Sequence, residues 1–179
     1  MVLRPSQEWE AVRAADSRWQ ASVLGYVAPL SAIPALAWPA ARWLSESSPF
    51  SAGHFGALAL TTFVLCVASV AIYAAGLYVS APIFGLARSW DRSIAIAARA
   101  ATPALLGIGL LSFPTLAIVG IVAFLHSFAL SSVGAQKVLG CADSESAMYV
   151  ACAFAVSGLG LIALGGLCSA IGAIQFAFP

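Results

Sequence analysis

Charge is scarce in this sequence. Eight Lys and Arg with seven Asp and Glu make up 8% of 179 residues, where a soluble domain carries about a quarter. So few charges cannot clothe the surface of a water-soluble globule. Lysine is nearly missing: Lys137 is the single one, and the other seven basic residues are Arg. The formal charge of +1 leaves no basic footprint for nucleic acid. The four cysteines, Cys66, Cys141, Cys152 and Cys168, form no C-x-x-C pair. Three of them sit in apolar runs as small hydrophobes, so neither a disulfide framework nor a zinc site is expected. There is no Gly-rich phosphate loop, no H-E-x-x-H and no G-x-S-x-G. The acidic pairs Glu8 with Glu10 and Asp143 with Glu145 lie in polar segments and read as solvated charges. Enzymatic chemistry and cofactors are therefore not expected.

What is present is apolar: 61% of the residues. A spanning helix needs roughly 20 apolar residues. Val23 to Trp43 is the first candidate, and Ala57 to about Leu86 the second. The stretch from Ile94 to Val133 would be about 60 Å long as one helix, roughly twice the hydrocarbon thickness, so it must break. Pro114 suits the first turn of a new helix and marks the break. Met148 to about Phe176 is the fifth span. With the N-terminus in the cytoplasm, Arg4, Arg13, Arg18, Arg88, Arg92, Arg99 and Lys137 all fall on that side, leaving only Arg42 outside. Five spans then put the C-terminus outside; a four-span chain would move only Lys137.

The first span contains Pro29, Pro34 and Pro39, five residues apart. Each removes a backbone bond, which membrane helices tolerate when neighbours satisfy the freed carbonyls. The Ala-Leu-Ala at 35–37 resembles a signal-peptidase site, but the long preceding segment, with three acids against three arginines, argues against cleavage. In that segment Trp9, Val12, Ala15 and Trp19 share one helical face. A short interfacial helix with Trp rings at headgroup depth fits, as does an arm packed on the protein's own cytoplasmic face.

Three further patterns are candidate sites. Ala151, Ala155, Gly158, Ile162, Gly165, Ser169 and Gly172 follow alternating steps of four and three, the seam of a left-handed helix pair. The seam serves either a partner or homo-oligomer interface or packing against the chain's own helices. Arg88, Arg92 and Arg99 lie near one face around a cytoplasmic connection, either as a patch for lipid headgroups or a partner, or as a positive-inside anchor. His126 is the one ionisable residue within the fourth span, a polar site or a neutral hydrogen-bonding group.

"RPSQEWEAV" followed by "GYVAPLSAIPALAW" resembles the start of a bacterial Yip-domain protein, with Pro5, Trp9, Tyr26, Pro29 and Leu30 in its slots. The second landmark is similar too: Thr102 and Pro103 before a short helix, Pro114 eleven residues on, Val133 and Gly134 closing an aromatic-rich helix, and Tyr149 opening the last span. The sequence departs from the pattern at "RAATP", which lacks the usual Tyr, at "HSFA" with His126 in an aromatic slot, and at Gln136 in place of a Pro. The resemblance implies five spans and a cytoplasmic N-terminus. It implies no catalytic site. Eukaryotic members of the family act in vesicle traffic with small GTPases, while bacterial members have no agreed activity.

The expected protein is thus an all-α membrane bundle of five spans. An interfacial N-terminal arm would cover residues 1–22 and the spanning domain residues 23–179. It would lie in a bacterial inner membrane, in contact with the bilayer and with a protein partner or a second copy. The expected role is that of a non-enzymatic scaffold or accessory subunit. A small transporter or channel for a neutral or hydrophobic solute is the alternative, since proline-broken helices can line cavities.

Overall fold

The computed structural model describes residues 9–10, 12–13, 19–45, 51–111 and 116–170. Five of its helices are long and apolar enough to cross a membrane, and no strand occurs among the described residues. Helix α1 starts with one α-helical turn, Trp19–Ser22, widens to a π-helical stretch, Val23–Val27, and continues as Ala28–Ser45. Helix α2 is Ala52–Ser80, closed by a 3₁₀ turn, Ala81–Phe84. Helices α3, Trp90–Leu111, and α4, Ala117–Gly134, follow, α4 ending in a π-helical stretch, Ala135–Leu139. Helix α5 is Asp143–Ala170. The break between α3 and α4 falls between residues 111 and 117, where the length argument requires one; Pro114 itself lies outside the described residues.

The π-helical stretch in α1 has a local cause. Pro29 has no N–H and its ring crowds the carbonyl four residues back. The Ala28 N–H reaches one residue further than in an α-helix, to the Val23 carbonyl, and the widened turn carries the chain past the proline. Pro34 and Pro39 are fully buried and turn toward the bundle, where Gly109 of α3 packs on the Pro34 backbone. The N-terminus of α1 is tied down by a distant residue: the Trp19 N–H donates to Asp91 Oδ1 at 2.9 Å, a carboxylate at the positive end of a helix.

Helix α3 is the centre. It packs against α1, α2 and α4, and Ile94 through Ala98 are at most 3% exposed. A residue run buried on every side suits a helix with neighbours all round, and its alanines keep those neighbours close. Glycines set the closest approaches. A Cβ on Gly107 would lie 2.9 Å from the Gly120 carbonyl oxygen, so α3 and α4 meet backbone to backbone. A Cβ on Gly76 would collide with Ser157 Oγ and with the Ala153 backbone, so α2 and α5 meet the same way. There the Tyr149 hydroxyl also donates to the Leu77 carbonyl at 2.7 Å. Helices α4 and α5, consecutive in the chain, touch each other far less than either touches its glycine-paired neighbour.

Two glycines adopt left-handed backbone conformations that an L side chain would strain: Gly85, φ 68°, after the 3₁₀ turn, and Gly140, φ 73°, between α4 and α5. Gln136 spans the second corner, its Nε2 donating at 2.8 Å to both Asp143 Oδ1 and Ser146 Oγ. An amide with two such bonds holds the start of α5 where the family resemblance leads one to expect a proline.

Candidate functional site

Three of the family-pattern residues, Tyr26, Thr102 and Pro103, meet at the middle of α3. Tyr26, in the π-helical stretch of α1, shares a 2.8 Å hydrogen bond with Thr102 Oγ1. The Arg99 guanidinium stands 5.9 Å from the centre of the Tyr26 ring and donates to the Ala95 carbonyl at 3.2 Å. Pro103 removes one donor from α3, and the next amide, Ala104 N–H, donates to Ser127 Oγ of α4 at 2.9 Å. Ser127 returns its own proton to the Ala123 carbonyl. A proline in one helix is thus accommodated by a serine in its neighbour, as a membrane interior requires. Ser127→Ala is expected to destabilise the fold by about 1 kcal/mol. The thermal midpoint in detergent should fall, Ser127→Thr should retain it, and an unchanged midpoint in the alanine variant would refute this role.

Below that junction lies a cavity of about 360 Å³ bounded by α2, α3, α4 and α5. Its lining is almost wholly apolar, from Val70 and Leu105 to Phe124 and Leu161. Phe154 anchors one wall, its ring centre 4.5 Å from Tyr73, 5.9 Å from Phe124 and 5.7 Å from Phe128. No charged side chain is among its described lining residues. Among the described residues no three of His, Cys, Asp and Glu gather closely enough to hold a metal ion. In the turn before α5, burial raises the pKa of the Cys141 thiol and the Glu145 carboxylate adds to the rise, which keeps it protonated and unreactive at neutral pH.

The other residues singled out by sequence fall elsewhere. Trp9 is fully buried and Val12 nearly so, the Trp9 ring lying over Gly134 beside Ile96, while Trp19 is 41% exposed. Pro29 is exposed on α1. Arg88 is exposed, 5.6 Å from the centre of the Tyr78 ring, and Arg92 is exposed in the first turn of α3. Arg99 lies about 10 Å further along the helix and half-buried. His126 is on the exposed face of α4 beside Leu125. On α5, Ala151 and Ala155 are exposed, Gly158 borders the cavity, and a Cβ on Gly165 would meet nothing within 4 Å. Ser169 falls in the last turn of α5, and Gly172 lies outside the described residues. The face of α5 that packs on α2 is a second set of small residues, Ala153, Ser157 and Gly160.

Sequence reasoning missed Ser127, the bond from Trp19 to Asp91 and the cavity. A serine opposite a Thr-Pro step on an adjacent helix was the available signal for the first.

Five apolar helices, the central one carrying a proline, define a multi-pass membrane protein whose outer surface meets lipid. The profile of the Yip1 domain matches residues 1–165, and the chain belongs to that family. No curated protein and no solved structure matches it.

Proposed function

We propose that this Yip1-domain protein is a non-enzymatic scaffold or accessory subunit of a complex in a bacterial inner membrane. In this reading the N-terminus is cytoplasmic and the C-terminus outside, residues 1–22 are an arm, and residues 23–179 are the five-helix spanning domain. The observation that supports it is the doubled small-residue surface of α5. One set, Ala153, Ser157 and Gly160, is used up against α2, while Ala151, Ala155 and Gly165 remain turned away from the bundle. Small residues let a second helix approach closely, and in lipid packing rather than hydrophobic burial drives association. The charges at the cytoplasmic end, Arg88 and Arg92, would meet headgroups or a partner carboxylate there.

The test is mild-detergent purification from native membranes with mass spectrometry of what travels with the protein. A stoichiometric partner, or a second copy, should be retained by the parent chain and lost from an Ala155→Leu, Gly165→Leu variant. Ala155 is exposed and a Cβ on Gly165 would meet nothing within 4 Å among the described residues, so the variant's own thermal midpoint should hold. A variant that keeps the same companion, or a parent that is a lone monomer, would overturn the reading.

A further inference from the structure

The cavity between α2, α3, α4 and α5 is a consequence of two tight seams. Gly107 and Gly120 draw α4 onto α3, and Gly76 draws α5 onto α2. The two consecutive helices are pulled to different partners and leave a gap between them. Phe124 of α4 and Leu161 of α5, both exposed, stand at its outer edge, so the gap faces the bilayer. We propose that this cavity binds the hydrocarbon tail of a membrane lipid, admitted sideways between α4 and α5. It stands independently of whether the protein has a protein partner.

The chemistry of the lining selects a tail and rejects the alternatives. Water needs two to four polar partners. The serines that border the cavity have spent their protons on their own helices, Ser69 on the Cys66 carbonyl, Ser131 on that of Ser127 and Ser157 on that of Ala153. The buried Tyr73 hydroxyl is left as one polar partner, short of the two to four that water needs. Ser127 both donates to Ala123 and accepts from Ala104. A headgroup would meet no charged side chain among the described lining residues. An empty cavity forfeits the dispersion contacts of its whole lining. Hydrocarbon is the solvent at the mouth, and it supplies those contacts at no hydrophobic cost. The 360 Å³ holds about a dozen methylene-sized groups, at the roughly 30 Å³ that a water-sized group occupies. Gly158 borders the space, and a Cβ there would meet nothing within 4 Å, so a larger side chain has room to enter it.

The full chain in vesicles containing a phosphatidylethanolamine with a diazirine at mid-chain gives the test, with photoproducts located residue by residue. Leu105 is 2% exposed on the central helix and cannot be reached from the bulk bilayer; Ile118, 76% exposed on α4, can. Both should be labelled in the parent chain. Gly158→Leu fills the cavity and should lose the label on Leu105 while keeping that on Ile118. Leu161→Trp, at the exposed edge, should do the same by narrowing the entrance, and it serves if the first variant fails to fold. A parent chain labelled at Ile118 but not at Leu105 would overturn the proposal. So would a label on Leu105 that persists unchanged in a folded variant.

Discussion

Trp9→Ala is expected to release the N-terminal arm from the bundle, at a cost of about 3–5 kcal/mol for loss of a fully buried indole. The seat of that ring is specific. A Cβ on Gly134 would lie 2.9 Å from Trp9 Cη2 and 3.0 Å from Cζ2, so the ring lies directly on the backbone of α4. Trypsin added to the protein in mild detergent should cut after Arg13 much faster in the variant. Gly134→Val should have the same effect by filling the seat, and the double variant should add little to either, because both remove one contact. Equal cleavage rates in parent and variants would show that the indole does not hold the arm. The consequence for the fold would be local: the five spans should keep their helical signal while the arm becomes accessible.

Gly76→Leu is expected to prevent assembly of α5 on α2. Even Gly76→Ala should cost about 1–3 kcal/mol, because the atoms in the way include the backbone of α5, which cannot rotate aside. Size-exclusion of a fluorescent fusion in mild detergent should show a monodisperse parent, a weakened alanine variant and an aggregated leucine variant. Gly165→Leu, on the outward side of α5, is the control for folding and should stay monodisperse, eluting no larger than the parent. If Gly76→Leu eluted normally, the close α2–α5 approach would be refuted. Two glycine-to-leucine changes at helices of similar hydropathy thus have opposite expected outcomes, and only their surroundings distinguish them.

That contrast explains what the sequence made legible. Span number follows from length and apolarity, and the need for a break after residue 94 follows from bilayer thickness, so those readings required no tertiary information. The inward face of a span does not follow in the same way. In water a polar face marks the outside, but in lipid both faces are apolar. Helix α5 carries small residues on two faces, and the regular step of Ala151, Ala155 and Gly158 is as visible as that of Ala153, Ser157 and Gly160. Which one meets α2 is settled by Gly76, on another helix. The Tyr26 and Thr102 slots were visible through the family pattern, while their hydrogen bond across 76 residues was not. The cavity left no sequence signal at all, since it is the difference between two helix pairings.

The one-sided attachment of α5 also bears on how the molecule is made. The N-terminal spans are synthesised first, and α1, α2 and α4 all pack on α3 without help from the last helix. Until α5 docks, the cavity lacks a wall and its surface is simply part of the boundary with the bilayer. Whatever acyl chain lies there when α5 arrives is enclosed by it. The first occupant would then be set by the lipid composition of the membrane in which the chain is born, and later exchange by how often the last helix lifts.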